Sequence, residues 1–224
     1  MLKNENYNSP EYYALMHNNL CDYTEESIPY LFNNTHTSVD TIKEWMLTSP
    51  EFFYSNDFSQ EEVLTALGQT IDYIELYGDD SQTGKSNLLL SLKENNAIIQ
   101  DQLIQYYSQD FVSAICEIFD ITRELEVNQE ELQLSISNFE NMTIEDDAEC
   151  FARDVFCEVF NYSNEYWTAK VAAAGDPPAG MTCEEWVIAM DALGALLGLP
   201  FGPVGSIIMS AYMSIGASRE CNDS

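Results

Sequence analysis

Basic residues are what this chain has least of: 8 Lys and Arg stand against 38 Asp and Glu in 224 residues, a formal charge of -30. A surface of that sign repels nucleic-acid backbones and anionic headgroups, so no nucleic-acid binding and no polybasic type of membrane binding is expected. A partner that reads the charge is a basic protein or a cation. The acids are spread along the chain between apolar helix positions, which marks them first as a solvated surface. An inhibitor that mimics nucleic acid is the sharper alternative.

Chemistry-bearing motifs are also scarce. There are 2 histidines and no Cys-x-x-Cys pair. His17 and Cys21 have the spacing for two zinc ligands on one helix face, but two further ligands are not in sight, and His36 has only Asp40 at helical spacing. Gly84-Lys85-Ser86 invites a phosphate-loop reading, which fails because Asp79 occupies the position where the motif needs its first glycine. Adjacent acids such as Glu184-Glu185 and Asp146-Asp147 point to different helix sides. There is no nucleophile elbow and no Cys-His-Asn arrangement. The reading leans away from an enzyme, with no catalytic, cofactor-binding or metal-binding residue assigned.

Strand-like runs with turn chemistry are missing as well, and the expected fold is all-α, a multi-helix bundle. Ser9-Pro10 opens a short helix with Tyr12, Tyr13, Leu15, Met16 and Leu20 inward. Ser38 precedes a second with Val39, Ile42, Trp45 and Met46, and Pro50 follows its end. Ser59 and Glu62 form a capping box before Val63, Leu67, Ile71 and Ile74, with Gly78 as the stop. A stretch with Leu88, Leu89 and Leu92 comes next. Ala97 to Thr122 reads as one long helix broken near Ser108. Asn128 with Glu131 caps a helix carrying Leu132, Ile136 and Phe139, where a short strand is the minority reading. Thr143 with Asp146 starts another helix through Tyr162, and Ala172 to Gly180 reads as a linker.

Only one long hydrophobic run exists, and the chain is organised around it. Trp186 to Ala217 carries one charge, Asp191, and Pro200, Gly202 and Pro203 forbid a continuous helix through it. The spacing predicts an antiparallel helical hairpin with arms Glu184–Leu199 and Val204–Ala217, each about 23 Å long, short of the ~30 Å of a bilayer's hydrocarbon core. Gly194, Gly198 and Gly202 recur every fourth residue, the small-xxx-small pattern of a glycine zipper. The expected layout is an acidic helical region over 1–174 and a hairpin over 181–224 packed into the same globule.

Six cysteines permit disulfides without proving them. Cys150 and Cys157 lie about 10 Å apart along one helix, too far to pair. Cys183 stands nineteen residues before Gly202 and Cys221 nineteen after it, so folding about that glycine brings the two level at the open end, where a disulfide would close the hairpin. Met1 to Glu5 lacks the apolar stretch of a signal peptide, which leaves a cytoplasmic protein or a removed signal as the two readings.

Three stretches carry a resemblance: Tyr12-Tyr13 followed by His17-Asn18-Asn19-Leu20, then Ser163-Asn164-Glu165-Tyr166-Trp167, then Trp186 with Asp191-Ala192-Leu193-Gly194-Ala195 and the tail to Gly216-Ala217-Ser218. In that order they resemble a group of uncharacterised secreted or envelope proteins of Bacteroidota. The resemblance implies an extracytoplasmic location and supplies no catalytic residue. The leading expectation is therefore a non-enzymatic, secreted or envelope-associated protein acting through protein-protein contacts. The second is a membrane-active, toxin-like protein that releases the hairpin, with Asp191 as a pH-sensitive brake.

Overall fold

A computed structural model describes residues 9–28, 45–47, 49–56, 58–77, 96–124, 127–174 and 182–222. Those residues are helical with no strand among them, so the chain is all-α. In chain order the helices are α1 (Pro10–Ser27), α2 (Pro50–Tyr54), α3 (Gln60–Glu75), α4 (Ala97–Leu103), α5 (Gln109–Thr122), α6 (Gln129–Glu140), α7 (Asp147–Ala174), α8 (Thr182–Gly198) and α9 (Gly202–Asn222). A 3-10 turn over Leu199–Phe201 joins the last two.

Local chemistry sets most of the helix starts. The Ser9 hydroxyl accepts from Tyr12 N–H with Pro10 at the first position, Ser59 and Glu62 cap each other reciprocally, and Ser108 and Asn128 accept from Phe111 and Glu131 N–H. The predicted long helix is broken near Ser108 as expected: α4 ends at Leu103 and Ser108 caps the start of α5. It is held from outside too, because Glu149 on α7 accepts from both its backbone N–H and its hydroxyl.

Several expectations are corrected. α1 is not short but 18 residues long, and Leu15 lies on its exposed side. Pro50 lies just past the helical residues 45–47, as expected, and also begins α2. Asp146, not Thr143, caps α7, accepting from Ala148 and Glu149 N–H. α7 continues to Ala174, through the start of the predicted linker. The strand reading of Leu132 to Ile136 falls to helix α6, which leaves Leu134 exposed. The readings on His36, Ser38 to Ile42, Gly78, the Gly84-Lys85-Ser86 stretch and Leu88 to Leu92 lie outside the described residues, as do the side chains of Cys183 and Cys221. The thiols of Cys21, Cys116, Cys150 and Cys157 are free.

The hairpin of α8 and α9 forms the centre. Every residue from Trp186 to Gly198 and from Val204 to Ala217 is buried, as a helix apolar on all sides requires. α1 and α7 pack together, α1 on α9 and α7 on α8, while α3 covers α9 and α5 covers α8. At 17 and 21 residues the arms run roughly 26 and 32 Å, longer than predicted.

The glycine repeat does not make a single seam. A Cβ on Gly194 would stand 2.6 Å from the Met209 carbonyl oxygen and from Ser210 Cα, and one on Gly198 would stand 2.7 Å from Ser206 Cα. Gly202 instead sits in the turn at φ 80°, with open space around it. Two glycines bring the backbones together and the third makes the corner, where its positive φ suits glycine.

Candidate functional site

Where α1, α7, α8 and α9 meet, the core contains a closed group of polar side chains. His17 and Cys21 come from the inner face of α1, Ser163 and Trp167 from α7, Asp191 from α8, and Ser210 and Ser214 from α9. His17, Cys21, Ser163, Asp191, Ser210 and Ser214 are all fully buried. The i, i+4 spacing that suggested a metal pair puts His17 and Cys21 one above the other, with Sγ 3.4 Å from Nε2.

Asp191 is the centre of the group. Trp167 Nε1–H donates to its Oδ2 at 3.0 Å, and His17 Nε2 stands 3.6 Å from the same oxygen. The Ser163 and Ser214 hydroxyls lie beside the carboxyl group, yet neither hydroxyl nor Oδ1 reaches hydrogen-bond geometry with the protein. The Ser210 hydroxyl donates to the Asp191 backbone carbonyl at 2.7 Å. The far side of His17 is fixed as well: Nδ1 lies 3.0 Å from Asn18 Oδ1, and Asn18 Nδ2 donates to the Tyr162 carbonyl at 3.2 Å. At the rim, Lys170 pairs with Asp22 at 3.1 Å and with Glu25, while Tyr166 O–H donates to Asp22 at 2.9 Å.

Burial governs the titration of the group. Loss of water raises the Asp191 carboxyl to about 7, although its hydrogen-bonding neighbours pull the other way. The same loss lowers His17 to about 4 and pushes the Cys21 thiol well above its ordinary value, with the nearby Asp191 charge adding to the effect on the thiol.

Cys21 on Nε2 and Asn18 on Nδ1 of His17 give the connectivity of a Cys-His-Asn nucleophile, but burial sets the chemistry the other way. Asp191 Oδ2 crowds the nitrogen that faces the thiol, and His17, Cys21 and Asp191 are all shut from solvent. The thiol is held protonated and the imidazole neutral, opposite to an activated pair. Among the described residues, no group of three or more His, Cys, Asp or Glu is arranged to hold a metal ion.

Two surface hollows lie elsewhere. One of about 400 Å³ sits at the hairpin turn between Phe58, Glu61, Glu62, Phe201 and Pro203, and one of about 470 Å³ between Tyr23, Ile28, Trp45, Leu47 and Pro50. Neither is lined by a member of the buried group.

Sequence reasoning paired His17 with Cys21 and singled out Asp191 apart from them, and missed that the three meet. It assigned no role to Trp167, Ser163, Ser210 or Ser214. One signal pointed their way: the three stretches that carry the Bacteroidota resemblance supply His17, then Ser163 and Trp167, then Asp191. Comparisons with protein-family models, with curated proteins and with solved structures find no match to the chain.

Proposed function

We propose that this chain is a non-enzymatic, extracytoplasmic protein that works through protein-protein contacts made by its acidic helix faces, with the hairpin as its permanent core. The observation that carries this reading is the position of the hairpin. Four helices pack on it and the polar group is sealed within it, so another molecule meets the outer faces. On α3 that face presents Glu61, Leu64, Asp72 and Glu75, acids around one exposed leucine. A basic partner would gain charge complementarity and one apolar anchor there. The test is capture from the organism's own envelope or culture fluid, followed by reconstitution with the purified partner. Binding that weakens steeply between 0.05 and 0.5 M salt, as screening on the order of a Debye length requires, supports the reading. A complex indifferent to salt, or no complex, overturns it.

A second reading has its own observation. The hairpin satisfies much of its polar content internally: Ser206 O–H donates to the Ala195 carbonyl at 2.8 Å and Ser210 O–H to that of Asp191, with the backbones in close approach at Gly194 and Gly198. Bilayers demand this of a membrane-inserted helix pair. Within Glu185–Ser218, the two arms joined at Leu199–Phe201, an apolar stretch reaches a mean hydropathy of 1.7. Conditional release into a lipid bilayer is therefore the alternative activity. Dye leakage from phosphatidylcholine vesicles supports it; leakage at background from neutral to acid pH removes it.

A further inference from the structure

We propose that folding moves a proton from His17 to Asp191, so that the two side chains enter the core as a neutral imidazole and a neutral carboxylic acid, and the grip of α1 and α7 on the hairpin is nearly independent of pH between weakly acidic and neutral conditions.

The argument starts at Asn18. Its Nδ2 donates to the Tyr162 carbonyl, which turns its Oδ1 toward His17 Nδ1. An oxygen there accepts, so Nδ1 carries the imidazole hydrogen and Nε2 presents a bare lone pair. That lone pair faces the Cys21 thiol and Asp191 Oδ2. An ion pair with Asp191 would need a proton on Nε2 and a charge-assisted hydrogen bond of about 2.7–2.9 Å. The observed separation of 3.6 Å is too long for one, and a buried ion pair without such a bond is poorly compensated.

The carboxyl group supports the same assignment. Oδ2 accepts from Trp167 while Oδ1 receives no donor, which leaves Oδ1 as the oxygen to carry the hydrogen. The Ser163 and Ser214 hydroxyls lie beside the carboxyl group. No cation competes. The groups facing Asp191 are His17 and Cys21 from α1, Trp167 and Ser163 from α7, and Ser210 and Ser214 from α9. Lys170, whose charge is felt at Cys21, is committed to Asp22 and Glu25 at the rim.

The pH consequence follows from the opposite signs of the two groups. Asp191, raised from 3.8 to about 7 by burial, contributes stability that is full at low pH and lost as pH rises through 7. His17, lowered from 6.5 to about 4, contributes stability that is full above 6.5 and lost as pH falls through 4. Between pH 4 and 6.5 the unfolded pair holds one proton on histidine and the folded pair holds one on aspartate. Equal proton numbers mean no slope.

The test is denaturant unfolding at pH 5 and pH 7, with NMR on the unmodified protein as a second readout that does not depend on variants folding. From these proton affinities the contribution of the pair to the wild-type folding constant should differ by only about twofold between the two pH values. In H17Q, with Asp191 left alone, it should be roughly 50-fold larger at pH 5 than at pH 7. In D191N, with His17 left alone, it should be roughly 20-fold smaller. At pH 5.5 the His17 ¹⁵N shifts should show Nδ1 protonated and Nε2 bare, with the Asp191 carboxyl carbon at its protonated position. Both His17 nitrogens protonated beside a carboxylate would overturn the proposal. So would a wild-type protein as pH-dependent as either variant.

Discussion

Replacing Gly198 by alanine should destabilise the protein, and the reason is confined to one methyl group. Gly198 lies in ordinary right-handed helical conformation, φ -84° and ψ -16°, so the backbone accepts alanine and only space is at issue. The new Cβ would lie 2.6 Å from the Gly205 carbonyl carbon and 2.7 Å from Ser206 Cα, with the Gly205 oxygen nearer still. Carbon contacts settle at roughly 3.5–4.0 Å, so α8 and α9 must separate by about an ångström at their tightest point. That movement stretches the Ser206 to Ala195 hydrogen bond, now 2.8 Å. Overpacking costs about 1–3 kcal/mol and the weakened bond about 1 kcal/mol, while the better helix propensity of alanine returns about 1 kcal/mol. The net loss is roughly 1–3 kcal/mol. Gly68 supplies the control: it lies within α3 with nothing near its would-be Cβ, so Gly68→Ala should stabilise by about 1 kcal/mol. Urea unfolding followed by circular dichroism reads both, and thermal midpoints should move in opposite directions, by about 2–4 °C per kcal/mol. If Gly198→Ala unfolds like the wild type, or if both variants shift the same way, close backbone contact is not what holds the hairpin.

Three further outcomes follow from the same contacts. Ser59→Ala removes the acceptor for Glu62 N–H and the hydroxyl that donates to the Glu62 carboxylate, while the bond from the Ser59 backbone N–H remains, and should cost about 1 kcal/mol in urea unfolding. Trp167→Phe keeps the ring but withdraws the one hydrogen bond that Asp191 Oδ2 receives; it should cost about 1–3 kcal/mol and move the Asp191 titration, followed by ¹³C NMR, upward from about 7. Iodoacetamide on the folded protein at pH 8 should label half-buried Cys150 well before Cys21, whose thiol is fully buried and held protonated; equal labelling rates would show that the polar group opens to solvent.

The parts of the fold legible in sequence were those written in short-range chemistry. Ser59 with Glu62, Ser108 and Asn128 each stand just before a helix start, and each accepts from the N–H three residues ahead. The hairpin was legible because prolines and glycine interrupt the one long apolar run. Arm length was underestimated because helix ends, unlike apolar runs, continue into polar residues such as Thr182 and Asn222. The α7 extension past Tyr162 was missed because Ala172 to Ala174 was read with the Gly-Pro stretch after it, although alanine is the best helix former. The meeting of His17 with Asp191 spans 174 positions, and no local pattern encodes a contact of that separation.

The buried group also answers a question that an apolar hairpin raises about itself. α8 and α9 are apolar on every side, so burial alone does not choose which face of either helix turns toward α1 and α7; many rotations would hide similar area. Polar side chains break that degeneracy. A turn of α8 by one residue, about 100°, would carry Asp191 away from Trp167 and His17 and leave a carboxyl group without a donor in apolar surroundings, a cost of several kcal/mol. Ser206 and Ser210 act alike along the axis, because sliding α9 past α8 would unpair both hydroxyls from the Ala195 and Asp191 carbonyls. Rotation is set by one acid and register by two serines and two glycines. Replacing the acid with leucine should therefore leave the protein helical but loosen its specificity for one packing, seen as broadened near-ultraviolet and NMR signals with little change in far-ultraviolet circular dichroism; a D191L variant with sharp, wild-type-like tertiary signals would show that packing shape alone fixes the hairpin.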